Sequence, residues 1–281
     1  MAWQDIIKTG KPTEMSITPK IALEMLERNT RNRTLNAAQV EWLAGELKAG
    51  RGVFDGSPIR FDANGVLLDG QHRLRAVVEA GSSLRTIVLG NLATEAMATI
   101  DTGRSRSLAD VMAIEGNKNT AQLAALTRMV NAWNDKTGFD GTAYSMKVSN
   151  ALGLEVANRF PEIADSVTWF GKHKGAEARM YVPVALMFCH WVLRRFGGET
   201  GEVWLTACVY GNKLDEADSR VVLRRSLLGS IGTTRGQKAK MAQIAMTIKA
   251  WNCHLTGKKM QLASYRTVDS FPIPRRPEEF Q

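Results

Sequence analysis

The first third of the chain alternates between helix-like and strand-like spacing of its apolar residues. A helix is predicted from the N-cap Thr18 and the first-turn Pro19 to about residue 27, because apolar residues follow at positions 21, 23, 25 and 26. A second helix is predicted after Asn36. Gln39 completes a capping-box pattern there, and an apolar stripe runs through positions 40, 43, 44 and 47 up to Gly50.

A hairpin and a further helix and strand follow this second helix. Residues 58–61 and 66–68 are predicted strands, and the turn between them contains Asn64-Gly65, a strong hairpin signal. Residues 71–79 are a predicted helix and residues 84–89 a third strand. This alternation predicts a small α/β domain over residues 1–116.

Beyond the third strand the spacing becomes helical. Helices are predicted at residues 93–100, 107–114, 120–136, 147–159, 162–170, 181–196, 201–210, 219–230 and 238–255. Glycines at 138 and 141 predict a flexible joint, and the proline-rich residues 271–281 predict an extended tail. The predicted fold class is therefore α+β, with a small α/β domain, a helical domain over residues 117–270 and the tail.

Composition narrows the class of protein. A chain of 281 residues with 44% hydrophobic content can bury a core in one or two domains. No apolar run reaches eighteen residues, and the first residues lack the pattern of a secretory leader. Three scattered cysteines form neither a disulfide framework nor a metal-ligand pair. We therefore expect a cytoplasmic protein with no membrane partner.

The positive charge is concentrated near the end of the chain. Residues 223–280 carry eleven Lys or Arg against three acids, whereas the formal net charge of the whole chain is +9. Such a region suits a polyanion such as DNA, and the alternative is an ordinary solvated helix face with a basic tail. The candidate nucleic-acid contacts are Arg224, Arg225, Lys249, Lys258 and Lys259.

The strongest chemical pattern is the turn Leu68-Asp69-Gly70-Gln71-His72-Arg73. A strand ends in a carboxylate, a glycine permits a tight turn, and a helix begins at once. The free N–H groups of a helix start attract anions, and basic side chains in its first turn add charged hydrogen bonds. Asp69 is suited to hold a metal ion, to orient His72, or to accept a proton.

The structural alternative is that Asp69, Arg73 and Arg75 only cap the helix and pair at the surface. Cations at a helix start oppose the helix dipole unless an anion joins them, and this favours a ligand site.

Residues 65–76 closely resemble the nucleotide-binding turn of the ParB/sulfiredoxin superfamily, in its phage and mobile-element type. The resemblance covers about residues 15–116 and implies a site for ATP or CTP with Mg²⁺. It implies phosphate contacts for Gly70, His72 and Arg73. Gln71 is a further candidate phosphate contact in the same turn, and Asp69 and His72 are the catalytic candidates.

Two further segments fall where partition proteins of this superfamily complete the nucleotide site. Residues 100–110 resemble an acid-and-arginine segment, which implies a metal contact for Asp101 and phosphate contacts for Arg104 and Arg106. The basic loop before the second helix resembles an arginine-bearing motif, which implies a phosphate contact for Arg33.

The sequence also differs from known members of this superfamily in two respects. Gln71 occupies the position where sulfiredoxin needs a cysteine, so reduction of sulfinic acids is not expected. No helix-turn-helix pattern follows residue 116, which argues against a centromere clamp.

The function hypotheses follow from these features. The first is a nucleotide-dependent hydrolase or phosphotransferase linked to DNA metabolism or DNA modification. The alternative is a DNA-binding regulatory or partition-type protein without catalysis. A nuclease is the least favoured hypothesis, because the sequence has no carboxylate cluster of the two-metal kind.

Overall fold

The computed structural model describes residues 2–32, 34–98, 100, 106–139, 148–212, 214–231, 236–266 and 270–280. Its contacts divide the chain into an N-terminal unit, residues 1–105, and a C-terminal unit, residues 106–281. A small sheet with helices in the first unit and a mainly helical second unit confirm the predicted α+β class. No helix in the described part of the chain is long and apolar enough to cross a membrane.

The N-terminal unit contains four α-helices, four strands and one 3-10 helix (Thr94–Ala98) among its described residues. In chain order the α-helices and strands are α1 (Trp3–Thr9), β1 (Thr13–Ile17), α2 (Pro19–Leu26), α3 (Ala37–Lys48), β2 (Pro58–Asp62), β3 (Leu67–Asp69), α4 (Gln71–Ala80) and β4 (Leu84–Leu92). The strands form one sheet in the order β1-β4-β2-β3. The β2–β3 and β1–β4 pairs are antiparallel and the β2–β4 pair is parallel.

The hairpin and the helix caps form for the reasons that the sequence suggests. Asp62 Oδ1 accepts the N–H groups of Asn64 and Val66, at 2.9 and 2.8 Å, and so shapes the turn between β2 and β3. Asn36 Oδ1 accepts the N–H of Gln39 at 3.1 Å, which confirms the N-cap of α3. The N–H of Asn36 itself donates to His72 Nε2 instead of closing a capping box with Gln39.

Two elements at the start of the chain were missed by the sequence analysis. The helix α1 has only seven residues, yet it buries Trp3, Ile6 and Ile7. Strand β1 has five residues, of which only Ile17 is fully buried. Elements of this length carry too few apolar positions to establish a period, and packing against the sheet stabilises them.

The C-terminal unit contains seven α-helices, two 3-10 helices (Ala176–Met180 and Pro277–Phe280) and one short hairpin among its described residues. In chain order the α-helices and the strands of the hairpin are α5 (Leu108–Ile114), α6 (Thr120–Ala132), β5 (Trp133–Asn134), β6 (Gly138–Phe139), α7 (Asn150–Arg159), α8 (Glu162–His173), α9 (Pro183–Tyr210), α10 (Ser219–Gly229) and α11 (Gly236–Thr256). One core joins all seven helices, and the fully buried Phe188, Trp204 and Trp251 are among its largest side chains.

Several boundaries differ from the predicted ones. The two helices predicted at 181–196 and 201–210 form the single element α9, interrupted at Gly198, whose φ of 57° is non-helical. Helix α6 ends at Ala132, because the chain turns into the β5–β6 hairpin there. Gly138 belongs to that hairpin, so the predicted joint does not begin there.

The unit boundary and the tail also differ from the prediction. Helix α5 was assigned to the first domain, but Leu108 and Met112 are buried in the helical core. The tail is docked rather than simply extended. Trp251 Nε1 donates to the carbonyl of Arg275 at 2.9 Å, and Asn252 Nδ2 donates to that of Ile273 at 2.8 Å.

His190 is a buried titratable group in the core of the C-terminal unit. Its Nδ1 lies 2.9 Å from Ser166 Oγ, and its ring stacks on Trp169 with centroids 4.5 Å apart. Burial lowers the pKa of His190 from 6.5 to about 4, although the neighbouring Glu202 carboxylate acts in the opposite direction. The imidazole is therefore neutral at pH 7.

This neutral imidazole makes the stability of the C-terminal unit depend on pH. The pKa in the folded state lies below that of unfolded histidine, so the unfolded chain binds the proton first. Stability is complete above about pH 6.5 and is lost as the pH falls towards 4, by up to about 3 kcal/mol. Urea unfolding followed by tryptophan fluorescence measures this slope. In His190→Asn, whose amide can still donate to Ser166, we expect a shallower slope over the same range; an unchanged slope would refute the assignment.

Candidate functional site

The predicted turn is formed by the end of β3 and the start of α4. Gly70 lies between them with φ 108° and ψ 5°, a backbone conformation that L side chains rarely adopt. A Cβ at this position would lie 2.3 Å from Ile59 Cδ1. The backbone conformation therefore requires glycine here, and a side chain would in addition force the end of Ile59 to move. Among the described residues, no side chain caps the start of α4.

Asp69 and two arginines form an ion-pair cluster beside this helix start. Asp69 Oδ2 accepts from Arg60 Nη1 at 2.8 Å and from Arg73 Nη2 at 3.1 Å. Arg73 also donates to the carbonyl oxygens of Ser57 and Pro58, at 2.8 and 2.7 Å. Arg73 therefore links α4 to the beginning of β2. Its pair with Asp69 is also the one expected if these two residues only stabilise the start of the helix.

The cluster of Asp69, Arg60 and Arg73 has a net positive charge, and some of its hydrogen-bonding atoms have no partner among the described residues. Asp69 compensates only one of its two arginines, and its Oδ1 has no partner in the described part of the chain. Arg73 uses three of its five N–H groups in the contacts named above, with the described residues as partners. An anion at the start of α4 would meet this remaining positive charge.

Gln71 and His72 point into the protein. They are only 4% and 8% exposed. Asn29 Nδ2 donates to Gln71 Oε1 at 3.1 Å, and the N–H of Asn36 donates to His72 Nε2 at 3.1 Å. Since Nε2 accepts, the neutral ring carries its proton on Nδ1. Both side chains of the turn therefore hold the segment that links α2 to α3.

We call residues 28–32 of that segment the strap. Asn32 Nδ2 donates to Asn29 Oδ1 at 2.6 Å and to the carbonyl of Leu67 at 2.7 Å. The N–H of Leu67 donates to the carbonyl of Arg28 at 3.0 Å. The strap is thus bound to β3 and to the first residue of α4.

The structure brings together the turn residues Asp69, Gly70, Gln71, His72 and Arg73. The predicted contacts Arg33, Asp101 and Arg104 lie outside the described residues. Arg106 is exposed in the C-terminal unit, and its carbonyl accepts from Asn150 Nδ2 at 2.9 Å.

Asp69 and Asp101 are the two predicted metal ligands, and Asp101 lies outside the described residues. The described residues contain no group of three or more His, Cys, Asp or Glu that could hold an ion. Asp69 bonds two guanidinium groups, which occupy one carboxylate oxygen and repel a further cation.

The basic residues of the C-terminal unit fall into two groups. Arg224 Nη1 donates to the carbonyls of Cys208, at 2.6 Å, and Val209 at the end of α9. Lys249 Nζ donates to the carbonyl of Ser264 at 2.9 Å and lies over the ring of Tyr265. The other three candidates are exposed and make no ion pair with a described residue: Arg225, Lys258 and Lys259.

Sequence reasoning missed three residues that build this site. Arg60 is a charged residue between Ile59 and Phe61 on β2, and it pairs in register with Asp69 on β3. The signal in the sequence is the charged Arg60 between the apolar Ile59 and Phe61. Asn29 and Asn32 gave no comparable signal, because their partners lie 42 and 35 residues away.

The geometry at Gly70 predicts a steep cost for any side chain. Gly70→Ala combines an unfavourable φ with overpacking against Ile59, which together cost about 2–5 kcal/mol. Ile59→Val removes Cδ1, so the double variant should recover about 1 kcal/mol or more relative to additivity. Amide hydrogen exchange over residues 58–80 measures the opening free energy. Gly45→Ala in α3, where a Cβ meets nothing within 4 Å, is the matched control and should be neutral or stabilising.

Comparison with protein-family models, curated proteins and solved structures found no match for this chain.

Proposed function

We propose that the N-terminal unit binds a nucleoside triphosphate through its phosphates at the start of α4. The observation that carries this proposal is a strand–glycine–helix turn with no capping side chain among the described residues, next to a cluster with more arginine than carboxylate. A helix start without a side-chain cap, next to excess positive charge, is suited to phosphate.

The choice of a nucleotide as ligand rests on the resemblance of residues 65–76 to the ParB/sulfiredoxin turn. The order of elements adds support, since a β2–β3 hairpin leads into the turn and α4 leads back to β4 beside β2. ATP and CTP are the two candidate nucleotides. Mg²⁺ would arrive with the phosphates of the nucleotide as part of the ligand.

The proposed reaction is hydrolysis of the nucleotide or transfer of its terminal phosphoryl group. Such reactions depend on alignment and charge neutralisation more than on covalent chemistry, and the arginines of the cluster provide positive charge. Asp69 is the candidate acceptor of the proton from an attacking hydroxyl, through its open Oδ1. His72 would support the site from within, since its Nε2 is occupied by the N–H of Asn36.

The proposal is tested by calorimetric titration of the full chain with ATP and with CTP, in the presence of Mg²⁺. We expect binding of at least one of them. Arg73→Ala should weaken that binding roughly tenfold to a hundredfold, because a charged hydrogen bond is worth about 1.5–3 kcal/mol.

Arg73 also bonds Asp69 and β2, so the fold of the variant is checked by hydrogen exchange over residues 58–80. Arg73→Lys, which keeps the charge but loses the fork of donors, should be intermediate. Lys48→Ala, which removes an exposed cation at the end of α3, is the control. If the wild-type chain binds neither nucleotide, the proposal is wrong.

A second candidate function is DNA binding by the C-terminal unit. It is favoured by the exposed and unpaired Arg225, Lys258 and Lys259, whose charges no described residue neutralises. DNA binding of this kind neutralises phosphates and must weaken with salt. Arg224 and Lys249 would contribute less to DNA binding, because their side chains donate hydrogen bonds to backbone carbonyls of the protein itself.

A gel-shift titration with duplex DNA tests this second function. Affinity should fall roughly tenfold or more between 50 and 200 mM salt, and less steeply in the double variant Lys258→Ala/Lys259→Ala. Lys172→Ala/Lys174→Ala removes the same charge from exposed positions at the end of α8 and should leave the salt slope intact. Absent or salt-independent retention of DNA would exclude the function.

A further inference from the structure

The tail crosses the C-terminal unit as an extended segment that is rich in proline. Residues 271–276 form neither helix nor strand. Prolines at positions 272, 274 and 277 fix their own φ, and each restricts the residue before it to extended backbone. Such a segment loses little conformational freedom when it binds, which is why proline-rich segments are frequent ligands of aromatic grooves. The tail therefore has the properties of a peptide ligand.

Two side chains at adjacent positions of α11 bind the backbone of this segment. Asn252 Nδ2 donates to the carbonyl of Ile273 at 2.8 Å, and the N–H of Arg275 donates to Asn252 Oδ1 at 2.8 Å. Trp251 Nε1 donates to the carbonyl of Arg275 at 2.9 Å. All three bonds involve main-chain groups of the tail. They fix its direction and register without selecting its side chains.

An aromatic pocket receives the side chain of Phe271. Phe271 is 7% exposed, and its ring lies edge-on to those of Phe139 and Trp133, with centroids 5.2 and 6.1 Å away. Gly138 leaves room for this ring, because a Cβ there would lie 2.9 Å from Phe271 Cδ1. The pocket is therefore suited to a large aromatic side chain.

Two further side chains of the segment contact the unit. Pro274 is buried, and the guanidinium of Arg276 lies 5.4 Å from the centroid of the Phe196 ring. Together with Phe271 and Pro272, they define the order aromatic-Pro-x-Pro-x-Arg. We call the surface that binds this order the tail groove, and it comprises Trp133, Gly138, Phe139, Phe196, Trp251 and Asn252.

We propose that the tail groove is a docking site for a partner protein that carries the same order of residues in an extended segment. The tail occupies the groove until the partner displaces it, and so acts as an autoinhibitory ligand. The three hydrogen bonds support this assignment, because any segment without proline at the position of Arg275 offers the same main-chain groups. Specificity then comes from the aromatic residue, the two prolines and the arginine. All of these residues lie in the C-terminal unit, so the docking site is independent of the proposed nucleotide site.

The covalent link between tail and groove sets how strongly the partner must bind. A tethered ligand has an effective concentration on the order of millimolar, so the tail occupies the groove unless a competitor exceeds it in affinity or amount. A substitution that weakens the tail should therefore open the groove to a peptide added in solution.

The test uses the full chain and a fluorescent synthetic peptide of residues 270–279. We expect weak binding to the wild type, because the tail competes. Phe271→Ala removes the anchor of the tail and leaves the residues of the tail groove unchanged, so it should bind the peptide more tightly than the wild type, by about tenfold or more. Glu278→Ala, at an exposed position of the same tail, is the control and should bind as weakly as the wild type. Fluorescence anisotropy measures all three affinities.

The hydrogen bonds to the peptide are tested in the Phe271→Ala background. Asn252→Ala removes both amide contacts with the main chain and should lower peptide affinity about tenfold. Asn158→Ala makes the same change at an exposed position of α7 and should leave that affinity unchanged. A peptide with Ala in place of its Phe should also bind more weakly, by about tenfold or more, because nothing fills the aromatic pocket.

Amide hydrogen exchange keeps the test decisive if Phe271→Ala fails to fold. In the wild type, excess unlabelled peptide should speed the exchange of the Arg275 amide, because displacement of the tail breaks its bond to Asn252. Equal peptide affinity in the wild type and a folded Phe271→Ala, or an unchanged exchange rate, would overturn the proposal. A wild-type dimer that forms with rising concentration and is abolished by Phe271→Ala would also overturn it, and would assign the tail groove to a second copy of the chain.

Discussion

The guanidinium of Arg73 is the contact on which the N-terminal unit depends. It lies in the first turn of α4, where the helix dipole opposes a cation, and yet it bonds Asp69 at the end of β3 and two carbonyls at the start of β2. One planar group with several donors therefore sets the position of a helix start relative to two strands. The proposed anion site follows from this arrangement, because the same contacts leave the helix start beside positive charge.

The residues of the turn have different structural roles. Gly70 provides the backbone path, and Gln71 and His72 turn inward to hold the segment between α2 and α3. Arg60 and Arg73 remain partly exposed beside the turn and supply its positive charge. Gln71 and His72, which the sequence predicts as ligand contacts, use their side chains to hold the neighbouring segment in place.

The sequence predicted the long and locally determined parts of this protein and missed the parts set by distant contacts. The β2–β3 hairpin and the helices α2, α3 and α4 follow from turn residues, caps and apolar spacing within a few positions of each other. Short elements such as α1, the merging of α9 across Gly198 and the docking of the tail on Trp251 depend on tertiary packing. The turn could be located for the same local reason, but the role of Asn29 could not, because its partner Gln71 lies 42 residues along the chain. Arg60 lies only 9 residues from Asp69, and its pairing depends on the register of β2 and β3.

The strap depends on the side-chain amide nitrogens of Asn29 and Asn32, and this has a chemical consequence. Asparagine loses its amide slowly by spontaneous hydrolysis, which leaves aspartate. At position 32 such damage would convert a double donor into an acceptor facing two acceptors, without any change in the gene. The fraction of molecules that carry aspartate at position 32 would then increase with the age of a preparation. An old sample would be a mixture of molecules with intact and loosened straps, distinguishable by one mass unit and one charge.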